Sequence, residues 1–280
     1  MQFLRMILKR YAYPVVMFLI RKLAAGARFT GNYATWEKAQ ARSSGYAAPE
    51  IAQRIHDAAI KVKRGEVPFE RDSVVFDHIQ YSWPVVAGLL WIAAQRGNRL
   101  NIADFGGSLG STYFQVRRFL ADLDGCRWSV VEQPHLVRMG KAEFEDERLK
   151  FYGSLDECLL QERPDVLLLS SVLPYLPDPY GLLDDIMRRG FEFIIVARTP
   201  LFTDQQDRLT VQKVPAWIYP ASFPAWLLNR DRFLATMSPA YEVVAEFDSP
   251  ETANLPVQFK GYIFRKRPSA ADAGRGNRRA

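Results

Sequence analysis

The chain has 280 residues, 48% of them apolar and 24% charged, a balance that builds one large core and excludes a disordered, collagen-like or multi-spanning membrane protein. Two cysteines, Cys126 and Cys158, with no CxxC pair exclude a disulfide-stapled scaffold and a cysteine-rich zinc module, and fit a reducing, cytoplasmic compartment. The net charge of +6 sits at the ends: residues 1–28 carry +6 and residues 265–280 carry +5, which leaves −5 on the body, so the basic excess does not mark a folded nucleic-acid surface.

In chain order, Lys9-Arg10 and Arg21-Lys22 bracket an uncharged stretch of ten residues, too short to cross a bilayer, which takes about 20. Residues 1–28 are expected to form a basic amphipathic segment resting on an anionic membrane surface, with Phe3, Leu4, Ile7, Phe18 and Leu19 inserting; a helix packed on its own domain is the alternative. Residues 29–98 read as a helical cap. Ile51, Ile55, Ala58 and Val62 share one face of a helix over 49–64. A second helical region is expected over 74–95, restarted at Trp83-Pro84.

From Leu100 the pattern changes to short apolar runs alternating with amphipathic helices, the signature of a doubly wound α/β sheet. Strands are expected at 100–105, 127–131, 149–152, 165–170 and 193–196, with helices around Tyr113 to Leu123, 134–144, 155–161 and 179–189 between them. A Pro- and Trp-rich stretch follows. Two last strands, 241–247 and 259–265, are joined by a loop and so should pair antiparallel. Residues 267–280, rich in Ala, Gly and Arg, are expected to be a disordered tail.

Three turns carry the functional signal. After the first strand, Asp104-Phe105-Gly106-Gly107-Ser108-Leu109-Gly110 leads into a helix near Ser111, where glycines let backbone pass close to a ligand. The spacing fails the GxGxxG dinucleotide fingerprint at Ser108 and Ser111. The second strand ends in Glu132, 22 residues past Gly110, where a carboxylate can accept the hydroxyl protons of a ribose; Gln133 reaches the same edge. The fourth strand ends in Ser170-Ser171-Val172-Leu173-Pro174-Tyr175-Leu176-Pro177-Asp178-Pro179.

That last run resembles the post-strand loop of class I S-adenosylmethionine-dependent methyltransferases, a VLHHLPDP-like turn in which Pro174 and Tyr175 stand in place of two histidines. The final strand pair, ending Gly261-Tyr262-Ile263-Phe264-Arg265-Lys266, is similar to that family's terminal hairpin. The set DFGGSLGSTYFQ, VVEQP, SSVLPYL, RTP and IYPASFPAW resembles a group of bacterial methyltransferases associated with surface-polysaccharide gene neighbourhoods, as do Phe29-Thr30-Gly31 and Trp36-Glu37-Lys38-Ala39 in the cap. The resemblance covers about residues 100–266. It implies a Rossmann-like, seven-stranded sheet over 99–266 and S-adenosyl-L-methionine as methyl donor. It implies Asp104, Gly106, Gly107, Ser108 and Gly110 at the methionine side of the donor, and Glu132 and Gln133 at its ribose. Ser154 would lie at the adenine side, and Ser170 and Leu173 at the sulfonium end. Ser108 departs from the middle glycine of the usual DxGxGxG turn, and Ser154 from the acid common at its position.

Methyl transfer from a sulfonium is an in-line displacement that needs alignment and, for a hydroxyl acceptor, removal of a proton. His56, His78 and His135 show no ligand spacing, so no metal is expected, and GxSxG, HExxH and P-loop patterns are missing. Loops at the carboxyl ends of parallel strands should bind the acceptor. Arg198 could hold an acidic group, while Trp217, Tyr219, Phe223 and Trp226 offer flat faces to a sugar ring, with Tyr219 and Ser222 as hydrogen-bonding groups and Tyr81 and Trp83 closing from the cap. The expected activity is O-methylation of a sugar or glycan-related small molecule in surface-polysaccharide synthesis. The alternatives are an inactive scaffold of the same fold within a glycan-assembly complex, a nucleic-acid methyltransferase using the basic ends, and an NAD-linked oxidoreductase. No residue stands out as the general base.

Overall fold

The computed structural model describes residues 27–45, 49–203, 205–215, 218 and 220–268. The expected membrane segment apart from its last two residues, the tail beyond 268, Trp217 and Tyr219 lie outside the described residues.

The chain opens with β1 (Arg28–Thr30), α1 (Trp36–Gln40) and α2 (Pro49–Lys63), then forms a small hairpin of β2 (Phe69–Arg71) and β3 (Val74–Phe76) before α3 (Trp83–Gln95). The cap is therefore not wholly helical. The expected helix over 74–95 begins only at Trp83, because Asp72 and Ser73 take the two left-handed positions of a tight hairpin turn, with φ of 52° and 66°, a geometry usually signalled by glycine or asparagine.

The main body runs β4 (Arg99–Phe105), α4 (Ser111–Val116), β5 (Gly125–Val131), α5 (Pro134–Glu143), β6 (Leu149–Tyr152), α6 (Leu155–Glu162), β7 (Val166–Ser170), α7 (Pro179–Arg189) and β8 (Phe193–Phe202). It continues through β9 (Arg208–Lys213), β10 (Ser222–Asn229), α8 (Arg230–Met237), β11 (Tyr241–Asp248) and β12 (Gln258–Lys266). Strands β6, β5, β4, β7 and β8 are parallel neighbours in that order. Antiparallel β12 lies between β8 and β11, completing the doubly wound, Rossmann-like core of seven strands with the terminal hairpin read from the sequence.

The central strands β7 and β8 read as near-continuous apolar runs because both sheet faces are covered there. Alternate residues feed opposite cores. Ile102, Val130, Leu168 and Ile195 pack with α2, α3, α4 and α5, whereas Ala103, Val131, Leu167, Leu169, Ile194 and Val196 pack with α6, α7 and α8. Cys126 and Cys158 are buried, one in each. Helix starts are set locally: the Asp178 and Asn229 side chains accept the N–H groups of Gly181 and Arg232, capping α7 and α8. Helix α4 is shorter than its apolar spacing suggests, passing at Arg117 into a 3-10 turn that ends at Leu120.

The sheet extends beyond the seven strands expected. The Pro- and Trp-rich stretch contains β9 and β10, which pair antiparallel with each other and then with β1, giving ten strands in all. This side sheet joins the core through β8, whose residues 193–197 pair with β7 while Leu201 and Phe202 pair with β10. Thr35 caps α1, whose Trp36 and Ala39 pack on Leu209 and Val211.

Where β8 changes partners, β12 carries a register shift around Gly261. A Cβ at Gly261 would lie 2.8 Å from the Val196 carbonyl oxygen and 2.2 Å from the Phe247 ring. The ring can turn aside, but the carbonyl belongs to a buried strand. Gly261→Ala should therefore cost about 1–3 kcal/mol of stability, read as a lowered midpoint in urea denaturation.

Candidate functional site

The chain lays down β4, β5 and β6 outward and then returns to place β7 on the other side of β4. This reversal opens a crevice at the carboxyl ends of β4 and β7, the usual ligand position in such sheets. The glycine turn fills its floor. Gly106 has φ of 74° and donates its N–H to the Val131 carbonyl at 2.9 Å; a Cβ there would meet Val172 at 2.6 Å. A Cβ on Gly107 would come within 2.5 Å of Asp104 Oδ2. Ser108, with φ of 55°, takes a left-handed position where glycine is usual, and Gly110, φ 88°, starts α4.

Asp104 lies beneath this turn and is 1% exposed. Its Oδ2 accepts the Trp128 indole N–H at 3.0 Å, while Oδ1 is buried with no hydrogen-bond partner. Burial pushes its carboxyl pKa up to about 7; the Trp128 hydrogen bond opposes the rise and the Glu132 charge adds to it. Glu132 is half-buried at the end of β5. The backbone N–H groups of Gln133 and Ser108 donate to its carboxylate, partly offsetting the burial that raises its pKa. The structure thus ties the β5 carboxylate directly to the glycine turn.

The other expected donor-site residues lie as follows. Gln133 is exposed immediately before α5. Ser154 is exposed, and its hydroxyl accepts the Glu157 N–H at 3.1 Å as the cap of α6. Ser170 is half-buried at the end of β7, and Leu173 is fully buried in the short 3-10 turn that follows. Between them Ser171, φ 57°, donates its N–H to the Ala197 carbonyl at 2.9 Å, joining this turn to β8.

Of the expected acceptor residues, Arg198 sits at the bend of β8 with φ of 56°. Its Nε donates to Glu251 at 2.7 Å and its Nη2 to Asp72 at 2.9 Å, and Arg71 lies 3.5 Å from the same Glu251. Burial acts to lower the Arg198 pKa, but Asp72 and Glu251 outweigh it and hold the guanidinium charged. The Asp72 side chain reaches solvent, and Arg198 and Arg71 outweigh the desolvation of its carboxyl and leave it below the usual carboxylate range. Ser222 clasps Ser44, each hydroxyl accepting the other residue's N–H, at 2.8 and 3.0 Å. Tyr81 lies tilted against Trp83 and edge-on to Phe119. Phe223 meets Tyr175 edge-on, and the Trp226 indole nitrogen is buried without a partner.

Residues of the β2–β3 hairpin were not anticipated at this edge. Glu70 is 3% exposed; it accepts the Ser111 hydroxyl at the first turn of α4 and the Ser73 N–H at 3.3 Å. Burial raises its pKa to about 7. With Asp72 on Arg198, the hairpin spans from the glycine turn to the β8 bend. The charged run Glu70-Arg71-Asp72-Ser73 before Val74-Val75-Phe76 was the available signal for a turn. Tyr175 also belongs here, donating to Gln212 of β9 at 2.9 Å. Among the described residues no group of three His, Cys, Asp or Glu could hold a metal ion.

No family model and no curated protein matches the sequence. Among solved structures, the N-terminal domain of EvdMO1, solved with SAH and D-fucose, is 18% identical over 78% of this chain and 96% of its own, with a TM-score of 0.46. A Burkholderia thailandensis 1,6-didemethyltoxoflavin-N1-methyltransferase is 16% identical over 80% and 93%, at 0.41. A S-adenosylmethionine-dependent methyltransferase from Clostridium acetobutylicum is 7% identical over 76% and 98%, at 0.44. At these scores the likeness assigns no function to this chain.

Two outcomes follow from the charges. Because Asp104 binds its proton more tightly folded than unfolded, its contribution to stability is full below about pH 4 and declines as pH rises to about 7. The stability of Asp104→Asn minus that of the native protein should therefore grow between pH 5 and 7 and level off above, in urea denaturation at each pH; a flat difference would contradict the burial of a titrating carboxyl. Arg198→Ala removes the closest cation from Glu251 and Asp72 and leaves them only Arg71. It should cost about 1–3 kcal/mol by the same method, less than for a fully buried pair because the Asp72 side chain is 63% exposed.

Proposed function

We propose that this protein is an S-adenosylmethionine-dependent methyltransferase acting on a hydroxyl oxygen of a sugar or glycan-related small molecule in bacterial surface-polysaccharide synthesis. The observation that carries the donor half is the junction of Glu132 with the glycine turn through the Ser108 N–H, above a buried Asp104 carboxyl with an unpartnered oxygen. These residues fit the donor: Gly106 and Gly107 leave room where side chains would collide, Glu132 can accept ribose hydroxyl protons, and Oδ1 of Asp104 offers an acceptor to a donor group above it. The bound donor supplies a methyl group on a sulfonium; the protein positions it and excludes water.

Two features support a neutral hydroxyl acceptor over an acidic one. Arg198 is already matched by Asp72 and Glu251, so it has little charge to spare for a phosphate or carboxylate. Tyr175, Phe223 and Gln212 form an aromatic and amide surface next to the β7 turn, chemistry suited to a sugar face and its hydroxyls.

Calorimetric titration with S-adenosylmethionine and S-adenosylhomocysteine, with NAD as the contrast, tests the reading. The adenosyl ligands should bind and NAD should not. Glu132→Ala should weaken adenosyl binding by about 1–3 kcal/mol, the cost of leaving partner hydroxyls unpaired, with an unchanged circular dichroism spectrum. Absence of adenosyl binding would overturn the proposal.

A further inference from the structure

Helix α3 contains no charged residue, and it is apolar all round. A helix of that kind is normally buried on every side, yet this one is not. Its inner face, Val85, Val86, Leu89, Ile92 and Ala93, is packed into the core over the sheet, with Gly88 against Ile263 and Ile195 and Trp91 edge-on to Phe193. The opposite face presents Trp83, Ala87, Leu90 and Ala94 to solvent, with Trp83 58% and Leu90 36% exposed. The spacing i, i+4, i+7, i+11 makes these four a continuous stripe.

The stripe has a distinct end. At Trp83 the indole lies tilted against Tyr81 at 4.9 Å and edge-on to Phe119 at 5.3 Å, and Tyr81 meets Phe119 edge-on at 5.0 Å. Beside Phe119 stand Arg117 and Arg118, both exposed. Arg117 lies over the Phe114 ring at 5.0 Å, and among the described residues neither arginine is paired with a carboxylate. Asp77, six residues before the helix, is hydrogen-bonded to His78 at 2.6 Å. At the other end Arg96, just past the helix, is matched by Asp165 at 2.6 Å and Glu192 at 2.8 Å. The face is therefore aromatic and cationic at one end, apolar along its length and closed by an ion-paired arginine at the other.

We propose that this face docks on an anionic phospholipid surface, with Tyr81, Trp83 and Phe119 at the headgroup level and Arg117 and Arg118 on the lipid phosphates. Aromatic side chains with one polar edge favour that level of a bilayer, and basic residues gain from its negative potential. Charge selects this occupant over the chain's own amino-terminal segment: residues 1–26 carry five Lys and Arg and no acid, so they bring no counter-charge to Arg117 and Arg118. Because only residues 96–98 separate α3 from the start of β4, the Trp83 end of the helix points toward the carboxyl edge, and docking there holds the site close to the bilayer.

The test is co-sedimentation of the full chain with vesicles of phosphatidylcholine alone and of phosphatidylcholine with a third of phosphatidylglycerol. The native protein should sediment with the anionic vesicles only. Arg117→Gln with Arg118→Gln, and separately Trp83→Ala with Leu90→Ser, should each lower the apparent affinity about tenfold or more. Raised salt should erase the difference made by the arginines. Circular dichroism and thermal melting, unchanged, show that each variant folds. Binding by both variants as tight as the native protein's, or no binding by the native protein, overturns the proposal. A native dimer in sedimentation velocity that the Trp83 and Leu90 substitutions dissolve would also overturn it, assigning the face to a second copy.

Discussion

One strand has to serve two sheets. The first five residues of β8 lie in the buried parallel core between β7 and β12, where both faces demand apolar side chains, and the last two pair with β10 in a side sheet that runs out over the carboxyl edge. A flat strand cannot do both. The bend falls at Arg198, held in a left-handed conformation that costs a non-glycine residue about 1–2 kcal/mol. Gly261 gives β12 the slack to follow it. The Arg198 side chain, thrown toward the edge by the bend, is then caught by Asp72 and Glu251 from two other segments. The cost at one backbone position is offset by ion pairs that bind the hairpin and the loop before β12 to the core.

The same edge collects other strained residues. Asp72, Ser73, Ser108, Ser171 and Arg198 all have positive φ without being glycine, and each lies at the hairpin, the glycine turn, the β7 turn or the β8 bend. Strain of this kind persists where surrounding structure over-determines it, and it clusters at ligand sites. Here Glu70 fixes the hairpin to Ser111, Ser108 reaches Glu132, and Ser171 reaches Ala197, so the four turns form one connected rim above Asp104.

The parallel core was legible because each of its strands is rich in apolar residues, β7 and β8 most of all, and each helix between them is amphipathic. Strand β6 and helix α7 fall where the sequence places them, and β4, β5 and β7 within two residues at their starts. The glycine turn and Glu132 were legible for a different reason: left-handed backbone and a strand-end carboxylate leave marks in residue type. What the sequence concealed depended on partners. Strand β3 is three residues whose pairing needs a turn of Asp72 and Ser73, both left-handed, without the glycine that usually marks such a hairpin. The prolines and tryptophans in β10 and in the segment between β9 and β10 mask an antiparallel pair completed by β1, about 180 residues away along the chain. Glu70 looked like an ordinary surface acid, and only the packing of the hairpin on α4 buries it.

The two thiols give the molecule an unplanned convenience. Cys126 and Cys158 are buried in opposite cores, and burial lifts both above the usual thiol range, Cys158 to about 11. Thiolate is the reactive form, so alkylating reagents should find neither thiol while the fold stays closed. A single cysteine placed on any exposed loop would carry a spectroscopic label without removing either native thiol. In the unlabelled protein, the rate at which the two become reactive is a direct clock for opening of the core on each face of the sheet.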